Sequence, residues 1–289
     1  MGARFIAVAL LLICCGSMAN TQNKPKVEIT IETDIYHYAQ AIIQDRPIAS
    51  ITNFKHKTVQ RDVVEFILIQ QALLLGGLEL EFDFKLGNYD ARNILLLEKG
   101  LLLMSFDSVW LSQATAMSDA VYISEPVINK GQYMAGLFTA KGNEALHKVA
   151  QQQHLHDVSI VSSHDWPVDW QTLQTLQPKS LLHESDWISM AKMVSRGWVD
   201  AMLVPFNTSF PFEYTGEGYH LVAVPNIKVA LNDSRHFLVS KKHPLGAQTF
   251  AALQKGLAIL KESGQIEKAY IDAGFLNPLV KDWPVIKVD

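Results

Sequence analysis

Residues 117–138, MSDAVYISEPVINKGQYMAGLF, decide the fold of this chain. A run of alternating strand and helix patterns precedes them, a second such run follows, and the chain afterwards returns past them. A segment so placed carries the chain from one lobe into another. The return supplies a second crossing, and two crossings between α/β units make a hinge with a cleft beside it.

Upstream, residues 26–34 (KVEITIETD) alternate apolar Val27, Ile29 and Ile31 with polar neighbours, the period of a half-buried strand. Residues 59–75 carry Val63, Phe66, Ile67, Ile69, Leu73 and Leu74 at helical spacings and stop at Gly76-Gly77. Residues 78–84 alternate again, 91–99 read as a short helix closed by Gly100, and 101–106 as a buried strand. This order implies right-handed parallel crossovers in a doubly wound sheet. Downstream, helices are expected at 143–153, 169–176 and 187–196, with strands at 157–161, 180–182 and 200–204. Pro205, Pro211 and Gly216-Glu217-Gly218 break the pattern as a return connection. Short strands at 221–224, 228–231 and 237–240 then precede two helices, split at Ser263-Gly264 within 247–273. The expected fold class is α/β, two doubly wound lobes on a two-crossover hinge. Lobe 1 takes residues 20–136 and 220–289, and lobe 2 takes 137–219.

The first 19 residues read as a signal peptide: Arg4, an apolar run over 5–15, and Ser17 and Ala19 before a cleavage point at Asn20. The run of about eleven apolar residues is too short for a membrane span, which takes roughly 20. A lipid-anchor reading of Leu12-Ile13-Cys14-Cys15 is poor, because a cysteine stands where a small residue is required. The expected location is periplasmic. Both cysteines leave with the leader, which excludes disulfides and thiol chemistry from the remaining 289 − 19 = 270 residues. The leader also removes one positive charge, leaving 24 − 29 = −5, and no basic stripe marks a nucleic-acid partner.

Several segments resemble the type 2 periplasmic substrate-binding proteins, in particular the polar amino-acid binders of solute-binding family 3. Ile123-Ser124-Glu125-Pro126-Val127 is similar to the family's Phe-Ser-x-Pro-Tyr run before the crossover. Gly197-Trp198-Val199-Asp200-Ala201 is similar to its Gly-x-Val-Asp-Ala, residues 92–100 to its helix closed by glycine, and 253–274 to its C-terminal helix pair. The resemblance implies an exported binder without enzymatic activity or cofactor. Its two lobes would close on a small polar ligand for an ABC-type transporter or a membrane sensor. Where the family places the arginine for the ligand carboxylate this chain has Met117, and where it holds the ligand amine it has Pro205. A carboxylate buried without its cation loses several kcal/mol, two orders of magnitude or more in affinity. A free α-amino acid is therefore not the expected ligand, unless Arg92 or Arg235 substitutes.

In open α/β sheets ligands sit beyond the carboxyl ends of the strands. Tyr36 and Tyr38, with Asp34, follow the first strand; they contact ligand or pack on a neighbouring loop. Ser108 and Trp110 follow 101–106, and Trp110 is the candidate stacking wall. Gln132 lies in the crossing. Ser162, Ser163 and Trp166 form a strand-to-helix turn with His164 and Asp165, a source of hydroxyls and helix N-terminal amides, or a plain N-cap. Glu184 and Trp187 are weaker candidates, and Arg235 is expected at the surface. An enzyme on the same fold, dehydratase-like, would draw on Glu125, Asp107 or Glu184; a non-binding accessory protein is the third possibility. His147, His154, His156 and His164 cluster in sequence without the convergent set a metal needs, so no metal site is expected. No Gly-x-Ser-x-Gly elbow, Walker-type loop or dinucleotide fingerprint is present.

Overall fold

A computed structural model describes residues 24–87, 90–143, 146 and 154–286. The leader, most of the helix expected at 143–153, and His147 lie outside them. Strand β1 (Lys26–Glu32) buries Val27, Ile29 and Ile31 as its alternation requires, and runs parallel to β2 (Glu81–Gly87). Between them stand α1 (Thr33–Ile43) and α2 (Arg61–Leu75). Helix α1 was not anticipated after β1, although Ile35, Ala39, Ile42 and Ile43 follow the i, i+4, i+7, i+8 spacing of a buried helical face. It starts directly after the strand, so Asp34, Tyr36 and Tyr38 stand on its first turns rather than on a loop.

Helix α2 is buried nearly all round and forms the axis of the first lobe. It packs on α1 and on α7 (Gly246–Glu262). A Cβ on Gly256 would fall 1.7 Å from the Ala72 carbonyl oxygen, and one on Gly76 1.9 Å from that of Ala252. The two helices therefore meet backbone to backbone, and both glycines are needed for that approach.

After α3 (Asp90–Lys99) the apolar run 101–106 is not a regular strand, contrary to its reading as one. Leu102 to Phe106 are buried, but only Met104 forms a bridge, to Val239. Burial alone made the run strand-like; its partner, β13 (Leu238–Ser240), gives most of its pairing to β4 (Val121–Ile123). Strand β3 (Val109–Trp110) leads into α4 (Leu111–Ala116) and pairs with β12 (Arg235–His236). Helix α7 and α8 (Gln265–Asp272) complete this lobe, as two helices with left-handed Gly264 between them.

The second lobe is a seven-stranded sheet. Strands β6 (Ser159–Ser162), β7 (Ser180–His183) and β8 (Ala201–Pro205) are mutually parallel, linked through α5 (Pro167–Thr175) and α6 (Trp187–Ser195). Strand β5 (Met134–Ala140) joins antiparallel to β8, followed by β10 (Tyr219–Ala223) and β9 (Glu213–Gly216), with β11 (Val229–Ala230) also on β5. Residues 213–223, taken from sequence largely as a return connection, are thus a β-hairpin. The two crossings between the lobes lie side by side: Val127 N donates to Arg235 O at 2.9 Å and Arg235 N to Ile128 O at 3.0 Å. The lobes are α/β and joined by two crossovers, as expected. Among the described residues no helix is long and apolar enough to cross a membrane.

Candidate functional site

Arg61 opens α2, and one turn on Glu65 is fully buried in a helix otherwise filled with Val64, Phe66, Ile67 and Leu68. A carboxylate in such surroundings persists only when its oxygens are fully hydrogen-bonded. Glu65 accepts from Arg61 Nη1 at 2.6 Å, Ser108 N at 2.8 Å, Ser108 Oγ at 2.6 Å and Tyr270 Oη at 2.9 Å. Burial and the Glu65 charge push the Tyr270 phenol well above its ordinary range, so it stays a donor. Ser108 passes the order on: its Oγ accepts from Arg235 Nε at 2.9 Å, and its carbonyl accepts from Arg235 Nη2. One buried carboxylate thus fixes Arg61 directly and Arg235 through a serine.

The two guanidiniums are compensated differently. Burial works against the charge on Arg61, but Glu65, Asp62 and Asp107 outweigh it and raise its pKa. For Arg235 burial prevails and Arg61 adds to it, against Glu65 and Asp107, and the pKa falls. Arg235 has no carboxylate within ion-pair distance among the described residues. Its guanidinium lies over the Trp110 ring at 4.5 Å. Trp110 stacks on Tyr133 at 5.9 Å, and Tyr133 on Phe275 at 4.2 Å. This aromatic column carries a cation on its outer face.

That face opens on a cavity of about 360 Å³ between the lobes. The first lobe and the crossings contribute Arg61, Trp110, Tyr133, Arg235 and Phe275. The second contributes Asp165, Trp166 and Asp169 at the start of α5, Trp187 at the start of α6, and Leu203 to Pro205 at the carboxyl end of β8. Arg61, Trp187, Pro205 and Phe275 also border a second chamber of about 860 Å³, which reaches Asp34, Tyr38, Gln60 and Asp62 on one side and residues 206–209 and 213–215 on the other. The position, beyond the carboxyl ends of parallel strands, is where α/β sheets take ligands.

Burial pushes the Asp169 carboxyl up to about 6, against the pull of Arg235. It does the same to Asp107, also to about 6, against Arg61 and with Glu65 adding. Both values lie above the unfolded 3.8, so the folded chain holds the extra protons at low pH and loses that stability as pH rises through about 6. Asp169→Asn, which mimics the protonated group, should therefore be more stable than wild type by about 1–3 kcal/mol at pH 7.5. The difference should close by about pH 4. Urea titrations at both pH values check this; a difference independent of pH would contradict it.

The residues singled out from sequence divide by position. Trp110 and Trp166 line the first chamber, Trp187 both chambers, and Tyr38 the second. Tyr36 packs edge-on to Phe66 at 6.1 Å, within an aromatic cluster behind α1. Ser108 supports the two arginines and lines neither chamber. Gln132 accepts from Asn129 N at 3.0 Å and borders a separate small cavity. Ser162 is buried with no hydrogen-bond partner for its Oγ among the described residues, and Ser163 Oγ accepts from Asp165 N at 3.1 Å, closing the turn. Arg235, expected at the surface, instead lines the cleft, because its side chain is turned inward by Ser108 and Trp110. Arg92 is exposed, and Met117 is buried in the core.

Glu125, Asp107 and Glu184 line neither chamber. His154 stacks on His156 at 4.9 Å, whereas His164 stacks on His183 at 4.2 Å. No group of three or more His, Cys, Asp or Glu fit to hold a metal occurs among the described residues. Arg61, Glu65 and Asp169 were missed from sequence. The available signal was an Arg-Glu pair at i, i+4 whose glutamate falls inside an apolar helical run.

No family model and no curated protein sequence matches the chain. Solved structures do match in fold. The probable amino-acid ABC transporter extracellular-binding protein ytmK of Bacillus subtilis superposes with a TM-score of 0.57 at 11% identity, covering 88% of this chain and 100% of that one. The substrate-binding protein AbpA of Streptococcus pneumoniae, an amino acid ABC transporter component solved with L-arginine bound, gives 0.51 at 18% identity, over 73% and 84%. The periplasmic VFT2 domain of Bordetella pertussis BvgS gives 0.50 at 15% identity, over 71% and 81%. With two α/β lobes, two paired crossings and these likenesses, the chain has the type 2 periplasmic-binding-protein fold.

Proposed function

We propose that this protein is an exported, non-enzymatic solute-binding protein whose lobes close on a small polar ligand carrying an anionic group. It would hand that ligand to an ABC-type transporter or present it to a membrane sensor. The observation that supports the reading is Arg235, a guanidinium in the cleft wall, held by a serine and an indole and lacking a carboxylate partner among the described residues. A partly desolvated charge is stabilised by an anion placed against it. The ligand carboxylate or phosphate supplies that anion, and Arg235, with Arg61 beside it, stands in for the cation missing at Met117. Trp110, Trp166 and Trp187 offer apolar walls to the rest of the molecule.

A thermal-shift screen of metabolites tests this. Acidic compounds should raise the melting temperature, by an amount set by RT ln(1 + [L]/Kd). Their neutral amides or esters should not. Silence across a broad set of acids, with the protein folded, would contradict the reading.

A further inference from the structure

We infer that residues 273–286 are a strap across the hinge, which holds the lobes at one angle in the ligand-free protein and so presets the width of the cleft. The inference does not depend on what the cleft binds. Helix α8 ends the first lobe at Asp272. Phe275 still belongs to that lobe, stacked on Tyr133 at 4.2 Å, and Leu276 N donates back to Tyr270 O at 3.1 Å. From there the chain runs onto the second lobe and stays there.

The attachment begins at Gly274, where a Cβ would fall 2.6 Å from the Asn207 carbonyl carbon and 2.7 Å from Thr208 N. The end of the first lobe thus meets the loop after β8 backbone to backbone. Asn277 Nδ2 then donates to Asn207 O at 3.0 Å. In the short 3-10 turn Pro278–Val280, Val280 is buried in the core of the second lobe with Met202, Phe206 and Phe212. Trp283 lies edge-on to Phe206 at 5.6 Å and to Phe212 at 5.9 Å. Lys228, just before β11, is buried, and its Nζ donates to Val280 O and Lys281 O, both at 2.7 Å. Lys228 N donates to Pro284 O at 3.0 Å and Ile286 N to Lys228 O at 2.9 Å, so the segment ends paired beside the approach to the second crossing.

Two crossings alone leave a hinge free to turn. A third length of chain, rooted in one lobe and buried in the other, must be peeled away before the lobes can part. Peeling exposes Val280 and Trp283 to water and takes from the buried Lys228 ammonium its two carbonyls. The grip lies where Ala273 and Phe275 of one lobe and residues 206–209 of the other border the second chamber, so it acts directly on the cleft walls. A cleft already at its binding width spares the ligand the loss of apparent affinity that a rarely populated competent form imposes.

Pulsed electron resonance measures the angle on the full chain, with Cys14→Ser and Cys15→Ser removing the native thiols. Spin labels go on Ala116→Cys in α4 and Gln171→Cys in α5, both exposed, since Gln113 and Asp169 of these helices line the first chamber from opposite lobes. The strapped chain should give one narrow distance, with a longer one in at most about a tenth of the molecules. Lys228→Met combined with Trp283→Ala should move more than about half of the molecules to longer distances. Two comparably populated distances in the strapped chain overturn the inference, whatever the variant does. A double variant that keeps its circular dichroism and repeats the strapped distances overturns it as well. Where the double change prevents folding, Trp283→Ala alone takes its place with the same two readings.

Discussion

Glu65→Ala is expected to lower folding stability by about 3–5 kcal/mol, because it leaves the Arg61 guanidinium without its buried counter-charge. It also leaves Ser108 N, Ser108 Oγ and the Tyr270 hydroxyl without their acceptor. For a chain of this size each kcal/mol moves the melting temperature by roughly 2–4 °C. Replacing the pair together, Arg61→Leu with Glu65→Leu, should recover part of that loss, since an apolar pair of similar volume often matches a buried ion pair. The recovery stays partial because the orphaned serine and tyrosine donors remain. Urea unfolding of Arg61→Leu, Glu65→Leu and the double variant closes the cycle. Additive losses would show that Glu65 and Arg61 act independently and would remove the organising role given to Glu65.

Arg235→Gln separates binding from stability. Truncating one partner of a buried, hydrogen-bonded charge pair costs about 2–5 kcal/mol of binding, or roughly 30-fold to several thousand-fold in affinity. In the ligand-free chain the same change removes a desolvated charge that has no carboxylate partner among the described residues, so stability should stay level or rise slightly. A structural arginine would behave in the opposite way, with lost stability and little change in affinity for an acidic compound found by the thermal-shift screen. Titration of that compound into both proteins, beside urea curves, distinguishes the two.

Much of the fold was legible because it depends on patterns that repeat within a few residues. The alternation of Val27, Ile29 and Ile31 gave β1, and the apolar face of residues 63–74 with Gly76-Gly77 after it gave α2. Where the sequence misled, tertiary context decided. Residues 101–106 are as apolar as a central strand, yet most of the pairing of β13 goes to β4. Helix α1 was hidden by its start, one residue after the strand, with no N-cap side-chain bond to announce it.

The site was less legible, since its chemistry is assembled from distant segments. Trp166 was within reach from its place before a helix, whereas the run 101–106 after which Trp110 was placed is not a regular strand. Arg235 was out of reach, because its inward turn depends on Ser108, 127 residues away. Met117 is buried in the core and lines neither chamber. The cleft draws its cations from the start of α2 and from the second crossing instead.

The most direct measurement is mass-spectrometric identification of small molecules released from the natively purified protein. An acid, bearing a carboxylate or phosphate, should be released from wild type and be absent or strongly reduced in Arg235→Gln purified in parallel. A bound compound with no acidic group, or an acid retained equally by the variant, would contradict it.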